Sequence, residues 1–300
     1  MYGRCDGAPD GLVLLSADAR PAGDPLFSLV VATLGRTAEL GRLLASLDAQ
    51  TERGFEVIVV DQNGDDRLLP VLAPYRDRFP VRHVRSAPGL SRARNAGIPH
   101  VAGRIVAFPD DDCSYPAGLL ERTARFFQKQ PETHGIVVRL VDEEGAALLE
   151  PRSDSAPVSR LNVFGGAASC CIFLTREVVA AVGGFDETLG LGAGTPWRAG
   201  EDIDYPLRAL DGGFRLRYVA DLMVVHPRHD GAGILERSYG YAAGFGRVCR
   251  MHRLPSWYVG YHLCRSLGGM LIGASTGRPH KVRAHWLALR GKLHGWRARV

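Results

Sequence analysis

Four short runs rich in Val, Ile and Phe mark the first third of the chain: FSLVVATLG at 27–35, FEVIVVD at 55–61, VRHV at 81–84 and RIVAFPD at 104–110. Their apolar residues run on rather than alternate, the pattern of strands buried on both faces. Between the first two the period changes. Thr37 stands where an N-cap belongs, and Leu40, Leu43, Leu44 and Leu47 recur at i, i+3, i+4 and i+7, one stripe of a helix. Strand, helix, strand, helix at this spacing predicts right-handed βαβ units and a mainly parallel α/β sheet.

In such sheets ligands bind beyond the carboxyl ends of the strands. The polar residues collect there: Thr33 and Arg36 after the first strand, Asp61, Gln62 and Asn63 after the second, and Asp110, Asp111 and Asp112 after the fourth. Three adjacent aspartates repel one another, so either water solvates them as an acidic helix start or a cation belongs there. Asp110 and Asp112, two residues apart, suit a hard divalent ion, Mg2+ or Mn2+, held through oxygens. The stretch GLSRARNAG at 89–97 adds Arg92, Arg94 and Asn95, groups suited to phosphate or base acceptors.

The ordered set SLVVATLGR, FEVIVVDQN, GLSRARNAG, AFPDDD and, downstream, GEDIDYPLRAL at 200–210 closely resembles the family 2 glycosyltransferases of the GT-A fold, from about residue 27 to residue 228. The resemblance implies a nucleotide-binding, mainly parallel βαβ sheet (27–115) continuous with an acceptor half (116–230), followed by a helical tail (231–300). It also implies a metal-dependent, inverting transfer of a sugar from a nucleotide-diphosphate sugar to a hydroxyl acceptor. Thr33, Asp61 and Arg94 would surround the base and ribose, with Asp110 and Asp111 beside the nucleotide. Asp112 is the principal metal ligand it implies, with Asp110 and His226 as further candidates, and Asp202 the catalytic base. Trp197 and Glu201 fall on the acceptor side. Inversion needs one carboxylate to take the acceptor's proton and no second one as nucleophile. On periodicity alone Glu201, Asp202 and Asp204 also read as an acidic first helical turn, Trp197 as partly buried core and His226 as structural. The first loop, ATLGR, and the end of the second strand, DQN, depart from the usual family sequences and leave the base and donor open. A sugar nucleotidylyltransferase is the main alternative, but it calls for a Gly-rich phosphate loop that ATLGR does not supply. A non-catalytic nucleotide-binding, membrane-associated protein is another.

The 300 residues are 46% hydrophobic and 23% charged, enough to bury a sizeable core. The first 26 read as a disordered leader rich in Gly, Pro and Asp, with only a four-residue apolar run, too short for a signal peptide. Six cysteines without CxxC or zinc spacing read as free thiols in a reducing cytoplasm. Charge divides unevenly. From Arg237 to Val300 there are twelve Lys or Arg and no acid, while the preceding part carries a surplus of seven acids. From Pro279 onward, Val282, Trp286, Leu289, Leu293 and Trp296 share one helical face, flanked by Arg283, Arg290 and Arg297 on one side and Lys281, Lys292 and Arg299 on the other. That pattern predicts a helix lying in an anionic membrane interface on the inner face of the cell membrane, with a lipid-linked or polysaccharide acceptor as its natural consequence. The same stripe could instead pack on the catalytic domain. Basic patches do not name their anion, but no nucleic-acid module accompanies this one, so no nucleic-acid partner is expected.

Overall fold

The computed structural model describes residues 25–150, 155–228 and 234–298, so residues 1–24 of the predicted leader and Arg299 lie outside the described residues. The four apolar runs form β1 (Phe27–Thr33), β2 (Phe55–Asp61), β3 (Val81–Arg85) and β4 (Ile105–Ala107), all paired in parallel. Every residue of β1 is buried, which is why the run carries no polar alternation. Helix α1 (Ala38–Asp48) follows Thr37, which caps by position alone because its side chain makes no cap hydrogen bond. Its four stripe leucines are fully buried against the sheet. Each such burial contributes about 1.5–3 kcal/mol relative to exposure. Helices α2 (Leu69–Leu72) and α3 (Leu90–Gly97) connect the remaining strands of this half.

Next come α4 (Leu119–Lys129), β5 (Gly135–Val141), β6 (Ala156–Pro157), α5 (Val163–Gly166), β7 (Ile172–Thr175), α6 (Arg176–Val182), α7 (Glu201–Asp211) and β8 (Leu216–Val225). All eight strands make one sheet in the order β3-β2-β1-β4-β7-β5-β8-β6. The expected parallel pattern is interrupted at β7, which runs antiparallel to both β4 and β5 and joins the two halves. A four-residue apolar run gives no hint of direction, since its direction is set by its neighbours.

Two small pairings beyond the strand ends shape the site. Asp110 bridges to Ala32, tying the aspartate triplet to the end of β1. Ser114 and Val225 exchange both backbone hydrogen bonds, at 2.8 and 3.0 Å, which draws the loop after β4 against the end of β8.

The tail forms α8 (Ile234–Met251), α9 (Ser256–Ser275) and α10 (Pro279–Arg297). Helix α8 lies on the first turn of α7, where Gly200 has φ +108° and a Cβ would stand 2.8 Å from Val248 Cγ2. Only glycine meets both demands. Helix α10 packs on α8 through Gly291 and Gly295; a Cβ on Gly295 would stand 2.0 Å from the Ala243 carbonyl oxygen.

This packing corrects the predicted interfacial stripe. The most buried residues of α10 are the two glycines. Trp296 packs against a satellite cluster of Cys249, Leu254, Tyr258 and Val259, and Val282 lies over Gly273 of α9. Lys292 is no solvated flank either. Its Nζ donates to the His262 carbonyl at 3.0 Å and Ser266 Oγ at 2.9 Å, and burial pushes its pKa down to about 8. Of the five stripe residues only Trp286 remains exposed. Among the described residues, no helix is long and apolar enough to cross a membrane.

Candidate active site

The loops at the carboxyl edge are knitted together by side chains. Gly35 N–H donates to Asn63 Oδ1 at 2.7 Å, and Gly89 N–H to Gln62 Oε1 at 2.8 Å. Asp61 is completely buried. Its Oδ1 accepts from the Asn63 N–H and Nδ2, both at 2.8 Å, while Oδ2 faces His83 Nε2 at 2.8 Å and Arg85 Nη1 at 3.0 Å. Burial opposes its ionisation, but the Asn63 and His83 hydrogen bonds outweigh that and hold the carboxyl below its usual range. Thr33 is also buried, its hydroxyl directed to the Arg36 carbonyl at 3.4 Å.

The aspartate triplet separates into distinct environments. Arg36 Nη1 stands 2.7 Å from Asp111 Oδ1 and 2.6 Å from Asp112 Oδ2, so one guanidinium offsets two of the three charges. Burial raises the Asp111 pKa despite hydrogen bonds from Thr33 and Arg36. Asp110 turns the other way, its Oδ1 3.1 Å from Arg94 Nη2. On the far side of Asp112, His226 Nε2 lies 3.1 Å from Oδ1. His226 Nδ1 sits 2.9 Å from the Pro227 carbonyl oxygen, which only accepts, so Nδ1 carries a hydrogen. In the neutral ring Nε2 therefore presents a lone pair to a carboxylate. Two facing lone pairs need a proton or a metal cation, and the Asp112 charge accordingly raises the His226 pKa against the effect of burial.

This donor set, one carboxylate oxygen and one imidazole nitrogen, fits a divalent cation. Among the described residues no group of three or more His, Cys, Asp or Glu is arranged to hold a metal. Of the three expected ligands, Asp112 and His226 face one another and Asp110 faces Arg94.

Arg94, expected beside the base and ribose, turns its guanidinium to protein groups. It is 2% exposed, donates to Ser169 Oγ at 2.6 Å, lies 3.5 Å from Glu201 Oε1, and stacks 5.2 Å above the Phe185 ring. It joins the loop after β4, α7 and the turn before β7 from inside. Glu201 is buried against it, and burial raises its pKa. Asp202, next along α7, is only partly buried, and burial together with the adjacent Glu201 charge pushes its pKa up to about 7. Trp197 is half-buried, packed between Arg247, 5.8 Å over its ring, and His294, whose ring lies 4.9 Å away.

Several residues escaped the sequence reading. Arg36 was recognised only as a polar residue at the edge, His83 sat inside a strand, and Tyr241 lay in a tail read separately. Tyr241 is exposed, and Glu201 and Asp202 add to the burial that raises its hydroxyl pKa, so α8 borders the acid pair. His252, at the turn after α8, holds Asp204 at 2.8 Å and Asp211 at 3.2 Å, fastening α7 from behind. No local pattern announces such a long-range pair.

Residues 28–175 match the family described as Glycosyl transferase family 2. Glycosyltransferase AglE of Haloferax volcanii is 26% identical over 77% of this chain and 76% of its own length. The pre-mycofactocin glycosyltransferase of Mycobacterium tuberculosis is 30% identical over 70% of this chain, which spans 45% of that protein. In fold, the chain resembles S. aureus TarS 1-349, solved in complex with UDP-GlcNAc, at a TM-score of 0.59 and 16% identity, covering 89% of this chain and 92% of that one. It likewise resembles the mannosyltransferase PcManGT of Pyrobaculum calidifontis, solved with GDP-Man and Mn2+, at a TM-score of 0.61 and 14% identity, covering 91% and 87%. The two structural likenesses bear on the GT-A fold alone; the sequence match, which takes in Arg94 and the aspartates at 110–112, identifies residues 28–175 as a family 2 glycosyltransferase domain.

Proposed function

We propose that this chain is an inverting, divalent-metal-assisted glycosyltransferase that moves a sugar from a nucleotide-diphosphate sugar to a hydroxyl acceptor, with Asp202 as the base. What supports the reading is the arrangement: Asp202 opens α7 next to Glu201, which Arg94 ties to Asp110, while Asp112 and His226 face one another two residues further along; burial and the Glu201 charge push the Asp202 pKa up to about 7. A base with that pKa is half-ionised near neutrality and still strong enough to accept a hydroxyl proton in the transition state.

Each residue then has a role. Residues 27–115 hold the donor and 116–230 the acceptor. Thr33 and Asp61 shape the base and ribose pocket, Asp61 chiefly by fixing Asn63 and His83 in place. Asp112 and His226 would hold the metal, Mn2+ or Mg2+, which when bound would supply positive charge to offset that on the leaving diphosphate. Asp111 and Asp112 hold Arg36 at the same edge through Nη1, which leaves the other donors of its part-exposed guanidinium to pair with diphosphate oxygens. Asp110 and Glu201 are held by Arg94, which positions both and lowers the Asp202 pKa. Trp197 and Tyr241 border the acceptor. The acid-free basic tail supports an acceptor at an anionic surface, lipid-linked or polysaccharide, on the inner face of the membrane in cell-envelope or exopolysaccharide synthesis.

Calorimetric titration with UDP and with GDP tests the donor site. One nucleotide is expected to bind in Mn2+, to weaken at least tenfold in EDTA, and to behave in Asp112→Ala as the wild type does in EDTA. Binding of neither nucleotide, nor of dTDP, in the presence of metal would remove the reading's foundation.

A further inference from the structure

Helix α9 carries apolar residues on two sides. One packs inward, with Tyr258, Val259, Ser266 and Gly273 buried and the Tyr258 hydroxyl donating to the Leu161 carbonyl at 2.9 Å. The other stands open. Trp257 is 64% exposed, Tyr261 55%, Leu271 72% and Ile272 65%, with Cys264 and Gly268 between them. Spacings of four, three, four and three residues align Trp257, Tyr261, Cys264, Gly268 and Leu271 along one stripe, and Ile272, four residues after Gly268, joins it.

Helices α9 and α10 form an antiparallel hairpin: Gly273 lies against Val282 and Gly269 against His285. Its closed end therefore gathers Leu271 and Ile272 with the exposed Arg278, Lys281 and Arg283, and Trp286 follows one turn further along α10. None of these three cations has an ion-pair partner among the described residues. Arg265 does, at 3.6 Å from Glu150.

We propose that the α9–α10 hairpin is a membrane-docking surface, with the α9 stripe set among the acyl chains of an anionic bilayer and the basic closed end among its headgroups. This rests on the reading of the chain as a transferase with an acceptor at a membrane, and it deepens that reading by naming the surface that meets the lipid. Charge selects the occupant. A second copy would bring one acid-free basic hairpin against another, and a nucleic acid has no use for Leu271 and Ile272, whereas an anionic leaflet takes both the apolar stripe and the cations. Each Lys or Arg near such a surface strengthens binding about fivefold. Because α10 rests on α8, and α8 on the first turn of α7, the docked hairpin is joined to Asp202 through packed helices with no flexible linker between them.

Flotation of the full chain with vesicles of phosphatidylcholine alone, and with about one-third phosphatidylglycerol, tests this directly. Wild-type protein is expected to float with the anionic vesicles and at least tenfold less with the neutral ones. The doubly substituted Leu271→Glu, Ile272→Glu chain, altered only at exposed positions, is expected to lose at least tenfold of that binding, and Lys281→Glu, Arg283→Glu a similar amount. UDP and GDP titrations and circular dichroism run in parallel on each variant, and unchanged nucleotide binding and helicity confirm that the loss is one of docking. A wild-type chain that ignores anionic vesicles overturns the inference, and its retained nucleotide binding would leave the transferase reading standing. Full vesicle binding by the Leu271→Glu, Ile272→Glu chain overturns it as well, as does a wild-type dimer that this variant converts to monomer.

Discussion

Asp202→Asn is expected to lower turnover by about 10²–10⁴-fold, the usual contribution of a positioned general base, while nucleotide affinity stays within a factor of two or so. The carboxamide keeps the volume and loses the proton acceptor. The pH profile of the unaltered enzyme supplies the second half of the test. Burial and Glu201 raise the Asp202 pKa to about 7, so the carboxylate form, the one that accepts a proton, grows as pH rises through 7. The rate should climb tenfold per pH unit below about 7 and flatten above it. Stability should move oppositely. A carboxyl with a raised folded pKa favours the folded state at low pH and loses that advantage as pH rises from its unfolded pKa toward 7. Asp202→Asn should therefore raise the melting temperature above that of wild type by more at pH 8 than at pH 5. A variant that retains full turnover would remove Asp202 from the chemistry.

Arg94→Ala is expected to cost about 3–5 kcal/mol of stability, because it strands Glu201 and Ser169 in the interior and leaves Asp110 without its cation. At about 2–4 °C per kcal/mol for a chain of this size, the melting temperature should fall by roughly 10 °C. Arg94→Lys should recover part of this, since an ammonium supplies charge without the planar fork that reaches three partners at once. The surviving enzyme carries a second signature. Arg94 lowers the Asp202 pKa, so its loss should displace the rising limb of the rate profile to higher pH. A melting temperature within 2 °C or so of wild type would contradict the clamp.

Both predictions depend on features of unequal visibility in the sequence. The strands of the first half and the leucine stripe of α1 were legible because burial on two faces and burial on one stripe each impose a period that composition cannot hide. The edge where Thr33, Asp61 and the aspartates gather followed from the same parallel topology. The partners were not legible. Arg36 reaches Asp111 and Asp112 across 75 residues and more, and Arg94 reaches Glu201 across 107. Neither pairing leaves a trace in local spacing, and an arginine in GLSRARNAG reads as well for an external phosphate as for an internal carboxylate. The tail shows the opposite failure. Its five-residue stripe on α10 was periodic and real, but two glycines on an adjoining side let α8 approach more closely than side chains of ordinary size would allow. Sequence periodicity ranks faces by hydrophobicity, and backbone-to-backbone contact at glycine is invisible to it.

The antiparallel strand β7 also governs the order in which the molecule assembles. Strands β1 to β4 find all their parallel partners within residues 27–107, a self-contained set with short crossovers. Strand β5 waits for both of its partners, β7 at Ile172–Thr175 and β8 at Leu216–Val225. The first set can therefore form while the remainder is still leaving the ribosome, and the second must wait for distant contacts whose loop-closure entropy is paid first. Pulsed hydrogen exchange during refolding should protect the amides of Val57–Val60 before those of Val137 and Val219, and simultaneous protection would mean that β7 closes the sheet in a single step.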